Sequence, residues 1–504
     1  MIRSRLLASA LGLTLGLVAL SGAAQAAETT APAAAPAAER ASPSLIVTVV
    51  VDQLSANLFN QYRSQFTGGL KTLADQGMVS INGYQTHGVT VTCAGHSTVL
   101  TGAHPARSGI PANDWIDTTT GQETYCLAAP QNTLAHGKNT DNGPVGPEQL
   151  SASTLGDWLK AVSPESRVYG VSGKDRGAIN LAGHKGDGAF WLTDNFGFTT
   201  YVEPGQSAEA RLAPVAALNA RMIDRFTRQA PSWTYSNAAC RRLEGQWTIA
   251  GQTFDSKVPP ANFRLDNSPI LDELTIEGAI ELMDSRQLGR RGVTDMLGVS
   301  LSATDRIGHS YGTQGPEMCE QMLRLDTALG AFLDKLSTVP GGAIVVLTAD
   351  HGGSDFPERS AVEGYPHAGR VDRALQPRVN AALKARFGLD ADPVVSSAGG
   401  FVIVDKDRKS LPEPLRSQVL AAAIELLNAE PQVALAVARD ELLAEPVPNS
   451  INPEDLSVRE RLRLSAVAGR SPDILRAWQP GLTGQGRVGG AISSHGSPWD
   501  YDRR

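Results

Sequence analysis

The 504-residue chain has only four cysteines and a 6% aromatic content. None of the cysteines shows a Cys-x-x-Cys spacing, which argues against a thiolate zinc site and against a disulfide-dense miniature scaffold. Lysine and arginine never gather into a tract and the formal net charge is −7, so nucleic acid and anionic membrane make poor partners. No run of 18 apolar residues occurs beyond the first residues, which argues against a later membrane span. The 50 glycines and 30 prolines carry no three-residue period, excluding collagen, and 41% hydrophobic residues exclude disorder. What remains is a large, loop-rich globular chain.

The beginning of the sequence addresses its compartment. Arg3 and Arg5 precede an apolar stretch over 6–20, and Ala24-Gln25-Ala26 supplies the small residues a signal peptidase requires. This pattern predicts a secretory signal peptide over 1–26. Residues 27–43, rich in Ala, Pro and Glu, read as a flexible tether, and 44–504 as the catalytic domain. The mature protein is expected to be periplasmic or secreted, off the membrane after cleavage, and a monomer. Export favours two disulfides among Cys93, Cys126, Cys240 and Cys319. Three pairings are open; proximity in sequence favours Cys93 with Cys126, leaving Cys240 with Cys319.

Three β-branched runs lead into acidic residues: 45–51 (LIVTVVV) into Asp52, 295–301 into Asp305 and 343–348 (AIVVLT) into Asp350. Runs apolar on both faces predict a buried parallel sheet, and helical patterns lie between them, as at 70–76, 153–161 and 317–336. The predicted fold is α/β, with a central, mainly parallel sheet flanked by helices. An inserted cap is expected over about 167–270 and a small α+β subdomain over about 357–450. Ligands of such sheets bind beyond the carboxyl ends of the strands, where these acidic endings fall.

The candidate chemistry gathers at those endings. Asp305 and His309, four residues apart at a helix start, share one face and can share a metal. Asp350-His351 is followed by two glycines that free the backbone to aim both side chains outward. Asp52 ends the first run. Singly, each is an ordinary turn or cap; together they suit a two-metal hydrolase, which needs clustered carboxylates and imidazoles. In Thr92-Cys93-Ala94-Gly95-His96, a hydroxyl precedes a small-residue turn into a helix, whose positive N-terminus favours an alkoxide or phosphorylated product. Thr92 is the candidate nucleophile. The stretch Gly484-Gln485-Gly486-Arg487-Val488-Gly489 fits a dinucleotide fingerprint but lies too near the end for the required strand and helix. It is expected to be a loop delivering His495.

The order Asp, Thr-Cys-x-Gly-His, Asp-x3-His, Asp-His-Gly-Gly and a late His-Gly resembles the alkaline phosphatase superfamily. More narrowly, it is similar to the periplasmic bacterial monoesterases with a threonine nucleophile. The resemblance implies two Zn2+ per chain, one on Asp305, His309 and His495, the other on Asp52, Asp350 and His351, with Thr92 bridging them. It also implies that Asn113 hydrogen-bonds a phosphoryl oxygen and that Lys174 and Arg176 form the cationic pair of the monoesterase branch. The implied activity is hydrolysis of small-molecule phosphate monoesters through a phosphothreonine. A phosphodiesterase or nucleotide pyrophosphatase on the same core is the alternative, and Lys174 with Arg176 is the discriminating feature. A noncatalytic exported zinc or phosphate binder would not need Thr92. Sulfatase chemistry is disfavoured, because Ala94-Gly95-His96 rather than Pro and Arg follows Cys93.

Overall fold

The run LIVTVVV forms strand β1 (Leu45–Val51), with Leu45, Val47, Val49 and Val51 turned into one core and Val50 into another. This alternation of two buried faces is what a strand covered by helices on both sides requires. The computed structural model to which it belongs describes residues 42–137, 143–193, 197–261, 263–449 and 451–504. The expected signal peptide and nearly all of the tether lie outside the described residues.

Strands β2 (Val168–Ser172), β3 (Gly188–Leu192), β4 (Phe198–Thr199), β5 (Asp295–Leu301) and β6 (Ala343–Thr348) complete a six-stranded sheet in the order β6-β1-β5-β2-β3-β4. Every pairing is parallel except β3 with β4. The long helix Pro316–Ser337 places Met318, Met322, Leu325, Leu329 and Phe332 in the core with β1 and β5. Val50, Leu100, Val168, Leu181 and Met296 close the opposite face.

Three expectations need correction. The stretch 167–270 is not all inserted cap, because β2, β3 and β4 belong to the central sheet; its aromatics are buried sheet residues such as Phe190 and Trp191. The irregular part follows β4 and contains the helix Ala216–Arg228 and the hairpin Gly245–Ile249 with Gln252–Ser256. Strand β6 is apolar up to Thr348 yet stands at the sheet edge, where Ile344 and Val346 remain 51% and 48% exposed. Only its other face, through Val345 and Leu347, packs on the core. The small α+β sheet joins Val394–Ser397, Gly400–Ile403, Ile474–Trp478 and Val433–Ala438, so it recruits a strand well past residue 450.

The disulfides join Cys93 to Cys126 and Cys240 to Cys319, the pairing that sequence proximity favours. Among the described residues, no helix is long and apolar enough to cross a membrane.

Candidate active site and metal centre

Register assembles the site. Val50 pairs with Thr348 and Val51 with Leu301, while Ser300 pairs with Ser172. Carrying each pairing two residues beyond the strand ends, or one beyond Val51, sets Asp350, Asp52, Ser302 and Lys174 in one row along the carboxyl edge. The chain turns sharply after Asp52, with Gln53 in the left-handed region at φ 68°, and Gln53 N–H donates to Asp350 Oδ1 at 3.2 Å. Helix α1 (Thr92–Thr101) starts beside this row. Its approach depends on Gly95, where a Cβ would collide with the Asp350 carbonyl. Helix α2 (Asp175–Ala182) follows β2, and helix α3 (Ala303–Tyr311) follows β5 and carries Asp305 and His309 on one face.

The six expected ligands converge. His309 Nε2 and His495 Nε2 each lie 3.2 Å from Asp305 Oδ1. His351 Nε2 lies 3.3 Å from Asp52 Oδ1 and 3.4 Å from Asp350 Oδ2. Asp52, Asp350 and His351 offer atoms within 4.8 Å of one another, and so do Asp305, His351 and His495, so His351 adjoins both halves of the cluster. Each imidazole places Nδ1 on a backbone carbonyl: His309 on Ser493 at 2.9 Å, His351 on Gly352 at 2.9 Å and His495 on Thr90 at 2.8 Å. A carbonyl only accepts, so Nδ1 must carry the hydrogen and Nε2 is aimed inward, as metal-ligating histidines are held.

Asp52 Oδ1, Asp305 Oδ1 and His351 Nε2 are buried without a hydrogen-bond partner. Unsatisfied buried acceptors are costly, and three converging ones fit a cation site. The electrostatics agree. Burial pushes the Asp52 carboxyl up and the charges of Asp305 and Asp350 push it further, against Lys174 and His351. Burial also opposes ionisation of Asp305, but Lys174, His309 and His495 outweigh it and hold that carboxyl well below its ordinary range. Burial lowers His495 as well, yet Asp305 raises it to about 9, whereas burial and His495 hold His351 well below the usual imidazole value. The mutual repulsion of the carboxylates at Asp52 is what a cation among them would relieve.

Lys174 sits inside this cluster, its Nζ 2.5 Å from both Asp52 Oδ2 and Asp305 Oδ2. Arg176, in the first turn of α2, keeps 18% of its side chain exposed and leaves Nε unpartnered. Asn113 accepts the Cys93 N–H on Oδ1 at 2.8 Å, beside Thr92. The loop with the dinucleotide-like glycines forms no helix or strand and runs on to Ile492, whose N–H donates to the His309 carbonyl at 2.8 Å.

Several residues support the site from behind, and the sequence points to His96 alone among them. His96 lies one turn behind Thr92, 2.9 Å from Asp350 Oδ2 and 2.8 Å from Ser300 Oγ. Thr90 gives its carbonyl to His495 and its hydroxyl to the Ser497 carbonyl at 2.8 Å, and Asp502 accepts the Ser497 N–H at 2.8 Å. His96 already stood in a motif; Thr90 carries no local signal, because its partners His495 and Ser497 lie 405 and 407 residues along the chain.

An α/β sheet whose carboxyl edge gathers three carboxylates and three imidazoles beside the start of α1 suits a metal-dependent hydrolase, and the fold is that of the alkaline phosphatase superfamily. The family model of type I phosphodiesterase / nucleotide pyrophosphatase matches residues 46–482, and the chain belongs to that family. It is 38% identical over 476 residues to alkaline phosphatase PhoK of Sphingomonas sp, covering 92% of this chain and 82% of that one. It is 36% identical over 474 residues to alkaline phosphatase PhoD of Zymomonas mobilis, covering 91% and 79%. The crystal structure of wild-type alkaline phosphatase PafA superposes with a TM-score of 0.73 at 25% identity, covering 92% of this chain and 89% of that one.

Proposed function

We propose that this enzyme is an exported alkaline phosphatase that hydrolyses phosphate monoesters through a phosphothreonine on Thr92, with two zinc ions. One ion would be held by Asp305, His309 and His495, and the other by Asp52, Asp350 and His351. The observation that carries the reading is the convergence of unsatisfied acceptors beside the helix start that bears Thr92. Mixed imidazole and carboxylate donors suit zinc better than magnesium, which prefers oxygen ligands and water. Bound there, such ions would supply Lewis acidity for the nucleophile and the leaving oxygen.

The remaining chemistry belongs to the chain. Thr92 Oγ1 attacks phosphorus; the new P–O bond forms as the bond to the leaving alcohol breaks, and water then cleaves the phosphothreonine to release inorganic phosphate and restore the hydroxyl. The N-terminal dipole of α1 favours the anion at that point. Asn113, with Oδ1 already engaged, has its Nδ2 hydrogens to offer a phosphoryl oxygen. Lys174 and Arg176 bring positive charge to a group whose transition state spreads negative charge over nonbridging oxygens. Three carboxylates against Lys174 and Arg176 still leave net negative charge that would repel a dianion, so the reading requires the added cationic charge.

The family's printed description keeps phosphodiester or nucleotide pyrophosphate cleavage as a second reading. Turnover of a matched aryl monoester and diester by the zinc-loaded protein separates the two: the monoester is expected to be much the better substrate, and the reverse order would overturn the assignment. Two disulfides suit an oxidising compartment, in keeping with export and a periplasmic or secreted site of action. We further propose a monomer with no nucleic-acid or membrane partner.

A further inference from the structure

The residue after the proposed nucleophile is a half-cystine, and the structure gives it two tasks at once. The Cys93 N–H donates to Asn113 Oδ1 at 2.8 Å, while its sulfur is bonded to Cys126. Cys126 N–H in turn donates to the Asn113 carbonyl at 2.8 Å. Asn113 is thus gripped at its side chain by one half of the bridge and at its backbone by the other. Both sulfur-bearing residues are fully buried, whereas Asn113 is only partly so.

The chemistry of a primary amide makes this grip directional. Rotation by half a turn exchanges an acceptor oxygen for a donor nitrogen, and only the donor end can bind an anionic phosphoryl oxygen. A main-chain N–H on Oδ1 forbids the wrong end. The same segment reaches the arginine side of the site, since Tyr125 Oη donates to Asp175 Oδ1 at 2.8 Å and that oxygen also accepts the Arg176 N–H at 2.7 Å. The hairpin Asp114–Asp117 with Gln122–Tyr125 begins one residue after Asn113 and ends one residue before Cys126, so the crosslink closes the base of that hairpin onto α1.

We infer that the Cys93–Cys126 disulfide is a positioning element of the phosphoryl site, which keeps the amide of Asn113 aimed at the substrate of Thr92 in addition to any contribution to stability. The inference rests on the monoesterase reading of Asn113 given above. Positioning groups act through geometry, and small displacements of a binding group are costly to catalysis.

A kinetic cycle tests it with four zinc-loaded enzymes: wild type, Asn113→Ala, Cys93→Ala with Cys126→Ala, and the combination. On an aryl phosphate monoester, Asn113→Ala is expected to lower kcat/KM on the order of ten- to a hundred-fold. Loss of the bridge should cost about ten-fold when Asn113 is present and less than about two-fold when it is absent, since residues acting through one group are not additive. Cys240→Ala with Cys319→Ala, far along the chain from the nucleophile, should lower the melting temperature and leave kcat/KM alone. Equal losses in both backgrounds would overturn the inference and leave the site reading intact. An unchanged kcat/KM in Asn113→Ala would overturn the site reading, and the inference with it. If the bridge variant does not fold, phosphine reduction of the folded wild type and Asn113→Ala, scored by mass mapping of Cys93 and Cys126, completes the same cycle.

Discussion

His309 and His495 face one another through their Nε2 atoms at 3.2 Å, although 186 residues separate them in the chain. Both rings are held from behind at Nδ1, His309 by the Ser493 carbonyl and His495 by that of Thr90. Two imidazoles so constrained, with Asp305 Oδ1 equally close to both, are placed to share one cation.

The metal requirement follows. Chelation should abolish monoester turnover, and zinc should restore more of it than magnesium does. Elemental analysis should find two zinc ions per chain in the wild type and about one in His495→Ala, since a structural divalent site rarely survives loss of one of three protein ligands. One equivalent in the wild type would contradict the two-ion reading.

The nucleophile is tested by hydroxyl chemistry. Thr92→Ala removes the attacking oxygen while sparing all six acceptor residues, and kcat should fall on the order of a thousand-fold. Thr92→Ser keeps an alkoxide at the same backbone position and should retain much of the rate. Phosphate on Ser97 or Thr98 in acid-quenched enzyme would place the chemistry elsewhere on α1.

Substrate class is tested through the cations. A monoester presents a dianion and a diester a monoanion, and charge-assisted contacts are worth about 1.5 to 3 kcal/mol each. Arg176→Ala and Lys174→Ala should each cost on the order of ten- to a hundred-fold in monoester kcat/KM and much less with a matched diester. Because Lys174 Nζ also bridges Asp52 and Asp305, Lys174→Ala should in addition alter zinc affinity, which Arg176→Ala should not. Equal losses on both substrates would reduce the pair to a supporting role.

Stability in acid is tested away from the site, at Asp157. This buried carboxylate closes a capping box with Thr154, accepts the Thr154 N–H at 2.8 Å and the Lys185 N–H at 2.7 Å, and lies 3.2 Å from His184 Nδ1. Burial alone would raise its pKa, but the hydrogen bonds of His184, Thr154 and Lys185 prevail and lower it to about 2. A depressed folded-state pKa adds stability above the unfolded value, near 4, that is lost as pH falls toward 2. Asp157→Asn should therefore be less stable than wild type by about 2 kcal/mol at pH 7 and by about half that at pH 3. Urea unfolding at both values measures the difference; a gap that does not shrink would refute the assignment.

The strands, the helices and the candidate residues were legible in the sequence because their signals are local. Apolar runs at 45–51, 295–301 and 343–348 mark strands of those bounds, and the four-residue spacing of Asp305 and His309 places both on one helical face. The cap boundary is not legible in the sequence, because the strands within 167–199 are short and rich in glycine and aromatics, and the sheet that buries them is assembled from distant strands. Edge and centre were likewise indistinguishable: β6 is as apolar as β1, and only the order of strands decides that Ile344 and Val346 lack a covering layer. The amino-acid sequence determined which residues could act, since side-chain chemistry and local periodicity are properties of the chain. Tertiary structure decided which of them meet, because parallel pairing carries no turn signal between partners hundreds of residues apart. The row of Asp350, Asp52 and Lys174, the hold of Thr90 on His495 and the grip of Cys93 and Cys126 on Asn113 exist only once that register is set.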